Sequence, residues 1–426
     1  MNNKYKFRKL SNGLNVLLVP NKSIDSVNVS VFFRVGSRCE VPDLSGISHF
    51  LEHMFFKGTK KRPEARIISE AVDSVGGEMN AFTSYEYTGY YIKVAKQHSE
   101  VAVDVLSDMM INSKFEEKEI NRERNVIKEE IKMYEDTPQV CIWRFWNQVL
   151  YRDHGLGRDI AGVFETVDNV NKKNIIHYRD EYYSVANGLI VVVGNFSETT
   201  MIKLLEKYWS KIGQGHKSIY SGLTETQEKP DLLLHKKVTS QTNFCVGVRT
   251  YKAFHPDHFV THLISVILGQ GMSSRLFINV RERRGLAYSI SSSVDNYADA
   301  GNLVVKTGTD VKKAGEALAV ILKEFSRIKK EKVEARELLK AKEYWKGKLI
   351  ISLESPETIA NIVGMQELMF GKVLSPEKMM AKIDEVTEAD VMRVAKDIFV
   401  PEKLNMAIIG PYKNDNDFKR VLNNFK

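Results

Sequence analysis

The sequence predicts an α+β protein of two homologous domains, each a mostly antiparallel sheet covered by helices. The main observation is an internal repeat. Asp168 lies 216 residues before Asp384, and Gly194 lies the same distance before Gly410. Between these points each half has a helix-like stretch ending in aromatic residues, then a short apolar strand that stops at the glycine. A constant offset over this whole stretch indicates that one half of the chain duplicates the other.

The strands of both halves alternate apolar and polar residues, which is typical of a sheet with one face against helices. Clear examples are Val27–Arg34, Tyr90–Val94, Phe244–Arg249 and Leu303–Thr307. A polar stretch with Gly and Pro, Gly213–Pro230, indicates the connection between the halves. We therefore expect an N-terminal domain at residues 1–214, a linker at 215–231 and a C-terminal domain at 232–426.

The composition is that of an ordinary globular protein, with 43% hydrophobic and 27% charged residues in 426. The net charge of +8 comes from 62 basic and 54 acidic side chains. The densest basic stretch, Lys329–Lys348, interleaves Lys and Arg with Glu, so it indicates a solvated helix face. We expect no nucleic-acid partner.

The cysteines and the apolar runs indicate the compartment. Cys39, Cys141 and Cys245 contain no CxxC pair, so we expect reduced thiols and no disulfide framework. Met1–Pro20 lacks the apolar run of a signal peptide. No apolar run reaches the roughly 18 residues that span a bilayer. The sequence therefore predicts a cytoplasmic protein without membrane contact.

A buried helix with three ionisable groups is the first functional signal. Ser45–Lys57 predicts one helix, capped by Ser45. Apolar side chains surround it almost completely, which is typical of a buried helix. It nevertheless carries His49, Glu52 and His53. Burying these groups without partners would cost several kcal/mol, and a divalent cation would satisfy them.

The spacing of these residues fits zinc. His49 and His53 are four residues apart, so both imidazoles lie on one helix face and can bind one Zn²⁺. Glu52 lies on the same side and could take a proton from zinc-bound water. His-x-x-Glu-His is the inverted form of the zincin motif. A five-residue pattern also arises by chance, so the rest of the sequence must support it.

A second helix, from Phe115 to about Tyr134, supplies that support. Its apolar stripe predicts a core-facing side. The stripe residues are Ile120, Ile127, Ile131 and Tyr134. Glu123 and Glu130 fall on the same stripe. A catalytic zinc takes three protein ligands and keeps one position open, so we expect Glu130 as the third ligand. Glu123 either supports a ligand or forms an ordinary ion pair with Lys or Arg.

At these residues the sequence resembles the pitrilysin, or insulinase-type, zinc metallopeptidases, an inverted-zincin family. The resemblance is to the short two-domain subfamily related to the mitochondrial processing peptidase and bacterial processing proteases. The matching segments span nearly the whole chain in order: His49–Gly58, Gly76–Thr83, Glu123–Lys132, His154–Arg158 and Arg281–Tyr288. The resemblance implies a zinc-dependent endopeptidase that hydrolyses extended peptides or unstructured polypeptide segments, with one Zn²⁺ per chain in the N-terminal domain.

The resemblance also implies the roles of the residues. His49 and His53 would be ligands, and Glu52 would be the base that activates zinc-bound water to attack the scissile carbonyl. The family's spacing admits Glu129 or Glu130 as third ligand, and the helical stripe favours Glu130.

Two further groups match residues that contact substrate in the family. Asn80, Ala81 and Phe82 match an edge strand that pairs with the substrate backbone. The alternative is a strand tip with Asn in a turn. Arg281 and Tyr288 match an Arg/Tyr pair of the zinc-free domain, which steadies the substrate carbonyl and the developing oxyanion.

The second half departs from the metal pattern. Around His262 a histidine is present, but we find neither the Glu nor a second His, so we expect no zinc in the C-terminal domain. The alternative function is a non-catalytic structural or helper subunit of a processing-protease-like assembly. By analogy with the four-domain members, we expect a homodimer that forms a closed chamber, in which Arg281 and Tyr288 of one protomer face the zinc of the other.

Overall fold

The structure, a computed structural model, describes residues 5–426. Its strands are β1 (Lys6–Lys9), β2 (Asn15–Pro20), β3 (Ser26–Phe33), β4 (Glu78–Thr83), β5 (Thr88–Ala95), β6 (Gly188–Gly194), β7 (Asp231–Lys236), β8 (Gln241–Thr250), β9 (Ala287–Asn296), β10 (Gly301–Asp310) and β11 (Leu404–Gly410). Its first eight helices are α1 (Ile47–Met54), α2 (Ala65–Asp73), α3 (Ser99–Asn112), α4 (Glu117–Asp136), α5 (Pro138–Tyr151), α6 (Phe164–Asn169), α7 (Lys172–Tyr182) and α8 (Glu198–Trp209). The remaining helices are α9 (His258–Gly269), α10 (Ala314–Lys330), α11 (Ala335–Ser352), α12 (Pro356–Phe370), α13 (Pro376–Glu385), α14 (Glu388–Ile398) and α15 (Asn416–Asn423).

The strands form two sheets of the same design. The first has the order β1-β2-β6-β3-β5-β4, and the second has the order β7-β11-β8-β10-β9. The first sheet without β1 matches the second strand for strand. In each sheet one pair is parallel, β2 with β6 and β7 with β11, and the other pairs are antiparallel. The predicted fold class and the duplication are confirmed.

Each sheet is covered on both faces, although alternation along the strands predicted only one. The central strand β6 is buried at every position. Its second face packs on α12, through Ile359, Ala360 and Val363 against residues such as Val191. In the second sheet, α5 packs on β11, β8 and β7. An apolar surface on both faces of a strand requires a helix layer on each side.

Each of these two helices packs on the sheet formed by the other half of the chain. One compact unit comprises the described residues up to Lys132, then Arg158–Ser221 and Ile351–Ser375. The other comprises Met133–Gly157, Gly222–Ile350 and Pro376–Lys426. Hence α12 belongs to the first unit and α5 to the second. The units are therefore discontinuous, whereas the sequence suggested contiguous domains.

The cysteines Cys39, Cys141 and Cys245 are all free. Across residues 5–426, no helix combines the length and the apolar character that a membrane span requires.

Candidate metal centre

Helix α1 is anchored at its start by a carboxylate from the preceding loop. Gly46 precedes the helix with a φ of 97°, and a Cβ there would lie 2.5 Å from the Ala161 carbonyl oxygen. Glu40 accepts hydrogen bonds from the backbone N–H of Gly46 at 2.7 Å and of Ser48 at 2.8 Å. The predicted cap, Ser45, makes no capping bond, because the chain reverses at Gly46 and brings Glu40 to the free N–H groups instead.

The Glu40 carboxyl group is buried, and burial raises its pKa to about 7. The backbone donors of Ser48 and Gly46 and the nearby Arg158 oppose that rise. Arg158 also donates to the Glu40 carbonyl oxygen at 2.6 Å. A buried anion at a helix N-terminus is favoured by the helix dipole, so Glu40 stabilises the start of α1.

Helix α1 is buried as predicted, but it is shorter than Ser45–Lys57. Its apolar side chains Ile47, Phe50, Leu51 and Met54 are buried. The chain leaves the helix after Met54. The buried face fixes the rotation of the helix and therefore the direction of its His and Glu side chains.

Three donor atoms converge beside this helix. The Nε2 atoms of His49 and His53 are 3.3 Å apart. Glu130 Oε2 lies 3.7 Å from His49 Nε2 and 3.6 Å from His53 Nε2. In the described part of the chain, these residues form the one group of three His, Cys, Asp or Glu side chains close enough to share a metal ion.

The separations fit a tetrahedral metal. With ligands at about 2.0–2.1 Å, two corners of a tetrahedron are roughly 3.4 Å apart, which matches the three separations. Burial, reinforced by neighbouring His53, lowers the pKa of His49 to about 4. His49 is therefore neutral at pH 7, which is the form that binds a metal.

Glu123 holds the other side of the His53 ring. His53 Nδ1 is 2.8 Å from Glu123 Oε1, and Lys57 Nζ is 2.6 Å from Glu123 Oε2. Burial acts to raise the pKa of Glu123, but the hydrogen bonds from His53 and Lys57 outweigh it, and the pKa falls. For His53, burial acts to lower the pKa, but the contacts with Glu123 outweigh it, and the pKa rises. A bond at Nδ1 fixes the ring so that Nε2 faces the other donors.

Both contacts considered for Glu123 are present, one with Lys57 and one with His53, and its role in supporting a metal ligand stays a prediction. Lys57 was not singled out from the sequence. It lies three residues beyond the last residue of α1, so helical spacing from His53 does not account for its contact with Glu123.

Helix α4 has the predicted rotation in its middle. Ile120, Glu123, Ile127 and Ile131 are buried. The Glu130 side chain is 21% exposed, whereas that of Glu129 is 71% exposed and pairs with Lys132 at 2.6 Å. The predicted ends were less accurate. The helix begins at Glu117 because Phe115 has a φ of 49°, and Tyr134 is 38% exposed.

Glu52 faces the same side as the three donors and is held by a strand. Thr83 Oγ1, at the end of β4, donates to Glu52 Oε2 at 2.5 Å. Burial raises the pKa of Glu52, although the bond from Thr83 opposes the rise. Thr83 was missed in the sequence because nothing local indicates a contact between strand and helix.

The strand β4 lies at the edge of the first sheet. One of its sides is hydrogen-bonded to β5, and the other is the free edge of the sheet. Asn80 is exposed, and its Oδ1 accepts from the Ala81 backbone N–H at 2.8 Å. The Phe82 ring lies against Phe32 and Tyr87, at 6.3 and 5.8 Å between centroids. Asn80 thus lies within a strand, and the Phe82 side chain is engaged in internal packing.

Arg281 and Tyr288 lie in the second unit. Arg281 is exposed in a π-helical segment, Phe277–Glu282, and its guanidinium lies 4.9 Å from the centre of the Phe277 ring. Tyr288 is 60% exposed near the start of β9. The segment packs against β9, so both side chains project from neighbouring elements.

The second unit retains a His pair that the sequence reading overlooked. His258 and His262 are four residues apart on α9, which follows β8 as α1 follows β3. The statement that no second His survives was therefore wrong. His262 Nε2 lies 3.0 Å from Asn296 Oδ1, and burial, with His262 nearby, lowers the pKa of His258 to about 3. No third His, Cys, Asp or Glu donor joins this pair in residues 5–426. The absence of zinc from this unit remains a prediction.

Comparisons with known proteins agree with this arrangement. Residues 15–163 match the description "Insulinase (Peptidase family M16)", and residues 169–344 match "Peptidase M16 inactive domain". The chain is 37% identical over 403 residues to the uncharacterized zinc protease YmxG of Bacillus subtilis, covering 95% of this chain and 97% of that one. It is 34% identical over 421 residues to an uncharacterized zinc protease of Rickettsia bellii, covering 96% and 98%.

A solved structure, described as a protease from Helicobacter pylori, superposes with a TM-score of 0.90 at 25% identity, covering 96% of this chain and 99% of that one. The chain belongs to the insulinase family of peptidases, family M16.

Proposed function

We propose that the protein is a zinc-dependent endopeptidase that hydrolyses extended peptides or unstructured polypeptide segments. The observation that carries the proposal is the convergence of His49, His53 and Glu130 at tetrahedral separations, with Glu52 beside them. His49, His53 and Glu130 would hold one Zn²⁺ per chain. Bound there, zinc lowers the pKa of a coordinated water to about 7 and polarises the substrate carbonyl.

Glu52 is the base in this proposal. Its carboxylate accepts the proton of the attacking water and passes it to the leaving amine nitrogen. The raised pKa of Glu52, caused by burial, favours this transfer because a base works best when its pKa approaches the working pH. Glu123 and Lys57 hold the His53 ring in place and do not touch the substrate.

The substrate would lie along the edge strand β4. Backbone groups of Asn80, Ala81 and Phe82 can pair with any extended peptide, which explains why the substrate must be unfolded at the cleavage site. The Ala81 N–H donates to Asn80 Oδ1 and would have to exchange this partner for a carbonyl oxygen of the peptide. Arg281 and Tyr288 would steady the substrate carbonyl and the developing oxyanion.

Three inferences about assembly and location accompany this proposal. We infer a homodimer, since residues 5–426 hold one candidate metal cluster and one Arg281/Tyr288 pair. The second unit is proposed to bind no zinc. The free thiols of Cys39, Cys141 and Cys245 suit a reducing compartment, so we propose a cytoplasmic location.

The decisive experiment compares the wild-type protein with Glu52→Gln and with a matched control, Glu129→Gln. Zinc is measured by plasma mass spectrometry, and hydrolysis with a library of quenched fluorescent peptides. We expect one zinc per chain in all three proteins. We expect Glu52→Gln to lose about 10²–10⁴-fold in rate, the usual contribution of a general base, and Glu129→Gln to keep the wild-type rate.

Incubation of the wild-type protein with 1,10-phenanthroline should remove both zinc and activity, whereas thiol alkylation and serine reagents should have no effect. Loss of zinc from Glu52→Gln would make Glu52 a ligand and overturn the assignment. A wild-type protein that holds zinc but cleaves no peptide in the library would favour the structural or helper subunit instead.

A further inference from the structure

The contact between Thr83 and Glu52 joins two parts of the site that are distant in sequence. Thr83 is the last residue of β4, and Glu52 lies in the middle of α1. Thr83 Oγ1 donates to Glu52 Oε2 at 2.5 Å, and α1 packs against β4. Both side chains are half-buried.

This bond distinguishes the two oxygens of the carboxylate. Oε2 accepts the Thr83 hydroxyl, and Oε1, which this bond does not engage, can accept a proton from an attacking water. A glutamate side chain has three rotatable bonds, and in a half-buried position the helix alone does not hold its carboxylate in one orientation. A charge-assisted hydrogen bond from a strand fixed by its pairing with β5 does so.

We propose that Thr83 is a positioning residue that orients Glu52 as the base and ties it to the strand that binds substrate. The inference rests on the proposed function and deepens it. Thr83 and Ala81 are two residues apart on β4, so their side chains share one sheet face. The strand that would hold the peptide backbone therefore also carries the group that aims the base.

The chain offers a matched control in Thr88. It lies directly opposite Thr83 in the register of β4 with β5, it is buried, and its hydroxyl lies beside Tyr183 rather than Glu52. Thr83→Val and Thr88→Val thus remove the same atom from neighbouring positions, and only the first breaks a bond to Glu52. Thr83→Ser keeps the hydroxyl and should restore the orientation.

The test measures zinc content, kinetics and the conformation of Glu52. We expect Thr83→Val to bind zinc like the wild type and to lose about 10- to 100-fold in kcat with KM nearly unchanged, since a hydrogen bond to a charged group has this magnitude. Thr83→Ser should recover most of the rate, and Thr88→Val should keep it. In crystals of the zinc-free variants, Glu52 should be spread over several rotamers in Thr83→Val and hold one rotamer in Thr88→Val.

The outcomes separate this inference from the proposed function. If the wild-type protein is active and sensitive to chelators but Thr83→Val retains the wild-type kcat and a single Glu52 rotamer, the inference is overturned and the function stands. A purely structural role of Thr83 would appear as a raised KM and lower thermal stability in Thr83→Val with kcat and the Glu52 rotamer unchanged, and would also overturn it. A wild-type protein without peptidase activity would overturn the proposed function together with this inference.

Discussion

At the scale of single residues, the acidic side chains of α4 differ sharply in their surroundings. Glu130 faces the two imidazoles, Glu123 lies buried between His53 and Lys57, and Glu129 points to solvent beside Lys132. One helix thus presents a candidate ligand, a buried carboxylate held by His53 and Lys57, and an ordinary surface ion pair. Exposed pairs of the last kind contribute little to stability.

This contrast predicts a graded loss of zinc affinity. Glu130→Gln should remove most zinc binding because it replaces a charged ligand by a neutral one. Glu123→Gln should weaken binding by about 10- to 100-fold, as expected when the partner that orients a ligand is lost. Glu129→Gln should bind like the wild type. Competition with a chromophoric chelator measures all three, and zinc loss in Glu129→Gln would show that the rotation of α4 at the site is wrong.

At the scale of secondary-structure elements, the close fit of α12 on the first sheet depends on a glycine. A Cβ at Gly364 would lie 2.7 Å from Phe32 Cε2 and 3.1 Å from Val191 Cγ2. Any side chain larger than that of glycine at position 364 would therefore force α12 away from the strands. Gly347 in α11 has no atom within 4 Å of its Cβ position.

The two glycines give a matched pair of substitutions. Gly364→Ala should lower the free energy of unfolding by about 1–2 kcal/mol, since the overpacking cost of about 1–3 kcal/mol exceeds the gain in helix propensity. Gly347→Ala should raise it by roughly 0.5–1 kcal/mol, because only the propensity changes. Urea unfolding followed by circular dichroism compares them. Equal stabilisation by both substitutions would mean that α12 does not pack closely on β3 and β6.

At the scale of the whole molecule, the proposed site draws on residues of both units. The cluster around His49 lies in the first unit, whereas Arg281 and Tyr288 lie in the second. The proposed homodimer would bring the pair of one protomer to the zinc of the other, giving two equivalent sites about a two-fold axis.

Complementation tests this assembly. Glu52→Gln and Tyr288→Phe chains, each of low activity alone, are mixed and allowed to exchange. In the heterodimer one site would combine wild-type Glu52 with wild-type Tyr288, so activity should rise toward one functional site per dimer. Exchange is demonstrated separately with chains of different mass, and each variant incubated alone under the same conditions serves as the control for recovery. No recovery after demonstrated exchange, or a fully active monomer by sedimentation, would refute the shared site.

Features that depend on short-range pattern could be predicted from the amino-acid sequence. The strand alternation, the repeat offset of 216 residues and the apolar stripe of α4 predicted the duplicated fold and the rotation that separates Glu130 from Glu129. The spacing of His49 and His53 predicted that their imidazoles share one helix face. These features can be predicted from neighbouring residues, because the repeat of a helix or a strand fixes which of its side chains lie on the same face.

Contacts that join distant segments of the chain became visible in the folded structure alone. The exchange of α5 and α12, the bond from Thr83 to Glu52 and the capping of α1 by Glu40 were not visible in any local pattern. Periodicity shows that a face is apolar, but not which helix covers it. The apolar side chains of a buried strand such as β6 can pack against any helix with a complementary apolar face. That α12 covers this strand therefore depends on the packing of the complete chain.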